Sequence, residues 1–286
     1  MNILVTGSNG QLGKSIKNIT DTHNHHNNYI FSDVNDLDLT DLEKVKSYIL
    51  ENNIEMVINC AAYTDVEKAA TDEWINIASI NILAVRNLAE IMKEVDGVLI
   101  HISSDYVYGS KYNTPISEDS KPYPESIYGI SKQVGDAHVI NSGCKYLIFR
   151  TSWLYSEYGK NFVKTMLDLT SRLETVKVVF DQVGTPTYAH DLAMSIFNII
   201  ESEKYENAWG LYHYSNEGVC SWYDFAYSIN KYSGHNCNVV PCHSDEFPSS
   251  VNRPSYSVMD KTKFKKTFGI KIPYWTESLK KCLNYL

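Results

Sequence analysis

The hydrophobic positions of the first half of the chain fall in short runs of strand length. Ile3-Leu4-Val5, Tyr29-Ile30-Phe31 (continuing to Ser32), Met56 to Asn59, Val98 to Ile102 and Lys145 to Arg150 are the five clearest. Runs that are apolar in succession fit strands covered on both faces. Between them, apolar residues recur at helical spacing. The spacing predicts helices over Gln11 to about Ile19, Asp41 to about Leu50 with Thr40 as N-cap, Asp72 to Lys93, and the stretch that follows Ser126. Asn81 sits within the apolar face of the long Asp72–Lys93 helix, as a satisfied buried amide or as part of a polar relay. Strands alternating with helices in this way predict an α/β fold with a doubly wound parallel sheet.

Beyond Thr151 the pattern is less regular. Helices are expected over Asn161 to about Leu173, Asp191 to about Ile200, Ser221 to about Tyr232 and Thr276 to Leu286. Strand-like pieces such as Val176 to Phe180 and Trp209 to Tyr214 alternate with loops marked by Pro and Gly. This half reads as a smaller α/β lobe, with the boundary near residue 152. The polar stretch Thr22 to Asn28 holds three His, and reads as a solvated loop rather than a metal site.

Composition narrows the classes. At 286 residues, 43% hydrophobic and 21% charged, the chain reads as an ordinary globular protein. No apolar run approaches the roughly 18 residues of a membrane span. The chain enters its first strand at Asn2 without a basic region or cleavage site, so a cytoplasmic location is expected. The net charge of −8 and the lack of a basic block argue against a nucleic-acid polymer as partner. A small anion remains possible, since local cations and backbone N–H groups suffice for it. The six Cys (60, 144, 220, 237, 242, 282) have no C-x-x-C spacing, and read as buried free thiols in a reducing compartment.

The candidate chemistry lies at strand ends. Gly7, Gly10 and Gly13 follow the first strand and open the first helix. Glycines there give a tight turn, close backbone approach to a pyrophosphate and close packing of the helix; a plain glycine turn is the alternative. Gly7, Asn9, Gly10, Gln11, Leu12 and Gly13 are therefore candidate cofactor contacts. Asp33, about 20 residues on, stands where a carboxylate holds the adenosine ribose, and leans towards NAD while leaving NADP possible. Ala61, Ala62 and Tyr63 follow the third strand, where small residues suit a ligand or tight packing about equally. Ser104, Asp105 and Tyr106 follow the fourth strand. Tyr128 and Lys132 are four apart, so on a helix they share a face, and the cation is expected to lower the phenol's pKa. A chain with 21 Tyr can produce that spacing by chance.

Taken in order, Thr6-Gly7-x-x-Gly10-x-x-Gly13, Ser103-Ser104-x-x-Val107-Tyr108-Gly109 and Tyr128-x-x-x-Lys132 resemble the extended short-chain dehydrogenase/reductase family. Cys60 to Ala69, Ser103 to Tyr108, Tyr128 to Lys132, Arg150 to Trp153, Asp181 to Thr187, Ser221 to Ala226 and Arg253-Pro254 are similar to dTDP-4-dehydrorhamnose reductases within it, over nearly the whole chain. The resemblance implies a Rossmann-type dinucleotide-binding domain over residues 1–152 and a nucleotide-sugar lobe over 153–286. It implies NADPH or NADH as cofactor, and reduction of the C4 keto group of a nucleotide-linked 4-keto-6-deoxy sugar. Ser104, Tyr128 and Lys132 take the catalytic places: Ser104 bonds the carbonyl, Tyr128 gives the proton, and Lys132 binds the nicotinamide ribose. Ser104, Asp105, Tyr106, Trp153 and Arg253 take substrate places, with Trp153 near the sugar ring and Arg253 on the diphosphate. For Trp153 a core position, and for Arg253 a surface ion pair, fit the residue types equally well.

Two departures qualify the resemblance. Some members form dimers bridged by Mg²⁺ through carboxylates; the matching positions here are Ser15 and His190, and the last residue is Leu286. No metal is therefore expected, and the chain is read as monomer or homodimer. Related dehydratases carry Asp-Glu after the Ser/Thr, whereas here Asp105 precedes Tyr106, which argues against dehydration. An epimerase and a non-catalytic regulatory subunit remain as alternatives.

Overall fold

A computed structural model describes residues 1–69, 74–247 and 251–286. The sheet strands are β1 (Asn2–Thr6), β2 (Asn28–Phe31), β3 (Ile54–Asn59), β4 (Val98–Ser104) and β5 (Lys145–Thr151). All pair in parallel, in the order β2-β1-β3-β4-β5, and the strand Gly210–His213 adds beside β5 as the sixth. The doubly wound fold expected from the pattern is present. The strand order reverses between β1 and β3, which makes a crevice at their carboxyl ends.

Alternation along each strand explains why the runs are continuously apolar. Ile3, Val5, Met56, Ile58, Ile100, Leu147 and Phe149 enter one core layer, with helix α1 (Gln11–Thr22) and the helix Ala189–Glu201. Their neighbours Leu4, Val57, Leu99 and Ile148 enter the opposite layer, with α2 (Leu42–Glu51), α5 (Ala84–Glu94) and α6 (Ile127–Ser142). A strand buried on both faces needs apolar residues at both phases of the period.

Some boundaries differ from expectation. The N-cap of α2 is Asp41, whose carboxylate accepts from Lys44 N at 3.2 Å, while Thr40 donates to Asp38 instead. A carboxylate at the cap favours the positive helix end more than a hydroxyl does. α1 runs on to Thr22, shortening the expected His loop. Asp72, the expected start of the long helix, lies outside the described residues. The described part, from Trp74, comprises α4 (Trp74–Ala78), a π-helical turn at Ser79–Leu83 and α5, after the short α3 (Val66–Ala69). Trp74–Glu94 is long and apolar enough to cross a membrane by length and composition, and half of it is buried within this fold.

The strand-like piece placed in the second half, Gly210–His213, completes the main sheet rather than the lobe. The lobe pairs Thr175–Val179 with Asn238–Cys242 in parallel and packs them on helices Phe162–Arg172, Trp222–Tyr232 and Trp275–Leu283. Phe225, Tyr155, Tyr188 and Trp275 fill that core. All six thiols are unpaired, and all but Cys60 are buried.

Candidate active site

The glycine turn is dictated by space. Gly7 has φ +61°, and a Cβ there would lie 2.6 Å from Ala61 N. A Cβ on Gly13 would lie 2.5 Å from Gly7 O, so the third glycine lets α1 close onto the turn. The N-cap of α1 is Gly10, which makes no side-chain cap. Its first N–H groups therefore have no capping oxygen competing with an anion. Asp33 bridges back across this turn: Asn9 N donates to one carboxylate oxygen and Val34 N to the other, both at 2.8 Å. Each oxygen keeps a second lone pair for a ribose hydroxyl. Of the expected contacts, Leu12 is buried in the core, and Gln11 turns to the lobe. There Ser156 Oγ and Asn161 Nδ2 each donate to Gln11 Oε1 at 3.0 Å.

The exit of β3 is held by amides. Asn59 Oδ1 accepts from Thr6 Oγ1 at 2.8 Å and from Ala61 N at 3.2 Å. Asn81, exposed to no solvent, accepts from Tyr63 N at 2.9 Å and donates to Tyr63 O and Ser131 Oγ, each at 3.0 Å. Asn81 is thus a satisfied amide that fixes the Ala61–Tyr63 segment, and it sits in the π-helical turn.

The fourth strand and α6 bring the hydroxyls together. Ser126 caps α6, accepting from Gly129 N at 3.0 Å. A Cβ on Gly129 would lie 2.4 Å from Tyr106 O, and one on Gly135 2.4 Å from Asn81 O. The glycines of α6 thereby admit the strand-end loop on one turn and the π turn on another. Ser104 Oγ donates to Asp105 Oδ1 at 3.1 Å and accepts from Tyr106 N at 3.3 Å, and its hydroxyl acts on the neighbouring Tyr128 phenol. The Tyr106 ring meets Tyr128 edge-on at 5.4 Å. Lys132 Nζ donates to Ile102 O at 2.7 Å.

The electrostatics correct one expectation. Burial raises the Tyr128 pKa well above that of a free phenol, while Ser104 pulls the other way and Lys132 is not among the causes. Lys132 itself is pushed down to about 8 by burial, opposed by Asp136. Desolvation exceeds the attraction of a lysine whose ammonium is held by a strand carbonyl. Tyr128 is therefore a phenol at neutral pH, able to give a proton. Asp105 is pushed up to about 6, mainly by burial, with Ser257 and Ser104 opposing.

Beside these residues lies a cleft of about 890 Å³, lined among others by Phe162, Trp222, Gln182, Glu125 and Arg253. Ser104 and Tyr128 do not line it; the loop that carries Tyr106 reaches it through Ser110 and Glu125. Trp153 is held at φ +48° and stacks face to face on Trp222, with ring centroids 3.6 Å apart. Trp222 presents itself to the cleft and Trp153 does not. Gly184 makes room for the stack, since its Cβ would lie 2.7 Å from the Trp153 ring. Arg253 borders the cleft while its guanidinium pairs with Glu67 at 2.9 Å. Trp222, Phe162 and Gln182 had no assigned role in the sequence reading. The signal for Trp222 was the capping box Ser221–Asp224, which places it at the first turn of its helix.

Ser15 is buried, its hydroxyl donating to Gln11 O at 2.9 Å, and His190 stacks on Tyr188. Among the described residues no group of three or more His, Cys, Asp or Glu is placed to hold a metal.

Comparisons with known proteins agree with this fold. The family model described as RmlD substrate binding domain matches residues 1–286. The chain is 34% identical to a dTDP-4-dehydrorhamnose reductase of Aggregatibacter actinomycetemcomitans, over 99% of this chain and 98% of that one. It superposes on the crystal structure of a dTDP-4-dehydrorhamnose reductase from Clostridium acetobutylicum with a TM-score of 0.93 at 39% identity, covering 99% of each chain. The corresponding protein from Bacillus anthracis, solved in complex with NADP, gives 0.92 at 36% identity, over 100% of this chain and 99% of that one. With the parallel sheet, the glycine turn and the Ser104–Tyr128–Lys132 cluster in place, the chain belongs to the RmlD family.

Proposed function

We propose that the protein is an NAD(P)H-dependent 4-reductase of nucleotide-linked 4-keto-6-deoxy sugars, with dTDP-4-dehydro-L-rhamnose, reduced to dTDP-L-rhamnose, as the favoured substrate. The observation that carries this reading is Ser104 at the carboxyl end of β4 beside the buried Tyr128 phenol, which shares a face of α6 with Lys132 one turn further along. Reducing a carbonyl builds negative charge on its oxygen, which a placed acid and a second donor stabilise. Tyr128, kept as a phenol by burial, gives its proton to that oxygen. Ser104 donates to the same oxygen and fixes the sugar against Tyr128. Lys132 holds the nicotinamide ribose and offsets the phenolate left behind. Hydride for the reduction comes from the reduced nicotinamide when it is bound.

The cofactor residues fit a dinucleotide. Gly7 and Gly13 leave no room for a Cβ, and the backbone of Gly10, Gln11 and Leu12 faces the pyrophosphate place. Asp33 takes the adenosine ribose, and Ala61, Ala62 and Tyr63 form the wall beside it. The carboxylate favours NADH; the relative's NADP complex supports NADPH as a second cofactor. In this reading residues 1–152 hold the cofactor and 153–286 the nucleotide sugar, with Gly210–His213 lent to the sheet. Asp105 and Tyr106 border the sugar, Trp153 acts through its stack on Trp222, and Arg253 meets the diphosphate. Tyr106 in place of a second carboxylate disfavours dehydration.

The test is consumption of NADPH and NADH, followed by nicotinamide absorbance, against a panel of nucleotide-linked 4-keto sugars, with NMR of the product for its C4 configuration. Turnover with dTDP-4-dehydro-L-rhamnose supports the reading. Cofactor binding without turnover on any member of the panel overturns it in favour of a regulatory nucleotide-binding role.

A further inference from the structure

Below the hydroxyl pair runs a line of buried polar side chains that the proposed reaction does not use. Tyr128, Lys132 and Asp136 stand four residues apart on α6 and so share one face. Lys132 and Asp136 are each only 1% exposed. Strands β4 and β5 supply the surroundings of Asp136. Arg150 Nε donates to Asp136 Oδ2 at 3.0 Å, and His101 Nε2 faces Asp136 Oδ1 at 3.8 Å.

The tautomer of His101 follows from its other neighbour. Asn59 Oδ1 is fixed as the acceptor of Thr6 Oγ1 and Ala61 N, so Asn59 Nδ2 donates to His101 Nδ1, at 3.2 Å. The ring proton is therefore on Nε2, the side that faces Asp136, although at 3.8 Å the two atoms form no hydrogen bond. Burial and Lys132 hold His101 well below the ordinary imidazole range, so it is neutral. On the far side, Arg150 donates to Tyr108 Oη at 2.6 Å, and Tyr108 Oη meets His213 Nε2 at 2.7 Å. His213 is pushed down to about 3 and Tyr108 up to about 12, so both are neutral. The remaining titratable groups above Lys132 are Tyr128, Tyr106 and Asp105.

Asp136 stands one turn from Lys132 on the same buried face of α6 and forms no ion pair with it, so its charge opposes the desolvation of the lysine through space. We propose that Asp136 is a positioning residue: held by Arg150, with the Nε2–H of His101 facing its other oxygen, its carboxylate supports the buried Lys132 ammonium beside Ile102 O. The cost of burying an ammonium in this layer is offset by an anion one turn along the same helix face. Arg150 fixes the position of that anion through its Nε–H. The role given to Lys132 rests on the reductase reading, whereas the charge relation does not.

The experiment is an NMR titration of the lysine ¹³Cε resonance of Lys132 in the intact protein without cofactor, assigned by its loss in Lys132→Met. Asp136→Asn keeps the side-chain shape and removes the charge, so the Lys132 midpoint should move below its wild-type position near 8 by about one pH unit. Arg150→Met leaves the Asp136 carboxylate in the sequence and is the packing control. Mere loosening of the packing would admit water and raise the midpoint in both variants, towards an ordinary lysine. A rise or no change in Asp136→Asn therefore overturns the proposal. If Asp136→Asn does not fold because Arg150 is left unpaired, Asp136→Asn/Arg150→Met replaces it, compared with Arg150→Met alone, with the same downward shift expected and the same overturning result. In turnover, the alkaline limb of the pH profile should move to lower pH by the same interval. A downward NMR shift in a protein that turns over no keto sugar sustains the charge relation and overturns the reductase reading alone.

Discussion

The two sides of the candidate site are built in different ways. On the sheet side Ser104 and Lys132 are more than nine-tenths buried, and the glycines of α6 admit neighbouring backbone to within contact. Their positions follow from strand ends, helix periodicity and close approach. On the lobe side, Arg253 is 37% exposed and pairs with a half-exposed Glu67, while Trp222 is placed by stacking on a neighbour. The first side is fixed before any ligand arrives. The second holds its charged group by an interaction worth little in water. In the proposed reading, chemistry that requires tight placement sits on the rigid side, and recognition sits on the side where contacts can be exchanged.

The largest effect should come from the rigid side. Tyr128→Phe removes the proton donor and keeps the ring that meets Tyr106. Turnover should fall roughly a hundredfold to ten-thousandfold, with cofactor affinity nearly unchanged. Steady-state rates together with fluorescence titration of NADPH check both parts. Loss of cofactor binding along with turnover would mean that the phenol supports the fold of this side rather than the chemistry.

How much of this was legible in the sequence follows the same division. The sheet was visible because both-face burial makes continuous apolar runs, and the turn was visible because only glycine meets both φ +61° and the closeness of Ala61. Ser104, Tyr128 and Lys132 could be placed since motif and element coincide. The balance of charges was not legible. Spacing shows that Lys132 is near Tyr128, but only three-dimensional packing shows that burial outweighs it and that the ammonium is taken by Ile102 O. His101 and Arg150 are single polar residues inside apolar strands, and sequence alone does not reveal that both face Asp136. The Trp153–Trp222 stack joins residues far apart in the chain, at a backbone angle that non-glycine residues seldom adopt.

A smaller effect tests whether the rigid side is strained by its function. Burial raises Asp105 to about 6, against an ordinary value of 3.8. In that interval the folded chain binds the proton more tightly than the unfolded chain, so stability falls as pH rises through it. Below about 4 the group is protonated in both states and there is no penalty; above about 6 the penalty is complete. Asp105→Asn should therefore raise the stability at pH 8 by about 1–3 kcal/mol, a gain that disappears by pH 3. Thermal melts of both proteins across that range measure it. Equal melting temperatures at pH 8 would mean that the carboxylate is better satisfied than its burial implies. Activity should fall in the same variant if Asp105 borders the sugar, since stability and function then compete at one residue.

The smallest effect on the fold, and the most informative about the lobe, belongs to Arg253. A half-exposed ion pair contributes about 0–1 kcal/mol, so Arg253→Ala should leave the melting temperature almost unchanged. If the guanidinium leaves Glu67 to meet a diphosphate, the same change removes a bidentate contact and raises KM about tenfold or more, with kcat little altered. Glu67→Gln weakens the competing carboxylate and should leave KM equal or lower. A fall in kcat at constant KM in Arg253→Ala would assign the arginine to the chemistry, and erase the division between the two sides. An unchanged KM in both variants would leave it as a surface pair, and the phosphate contact would have to come from elsewhere in the cleft.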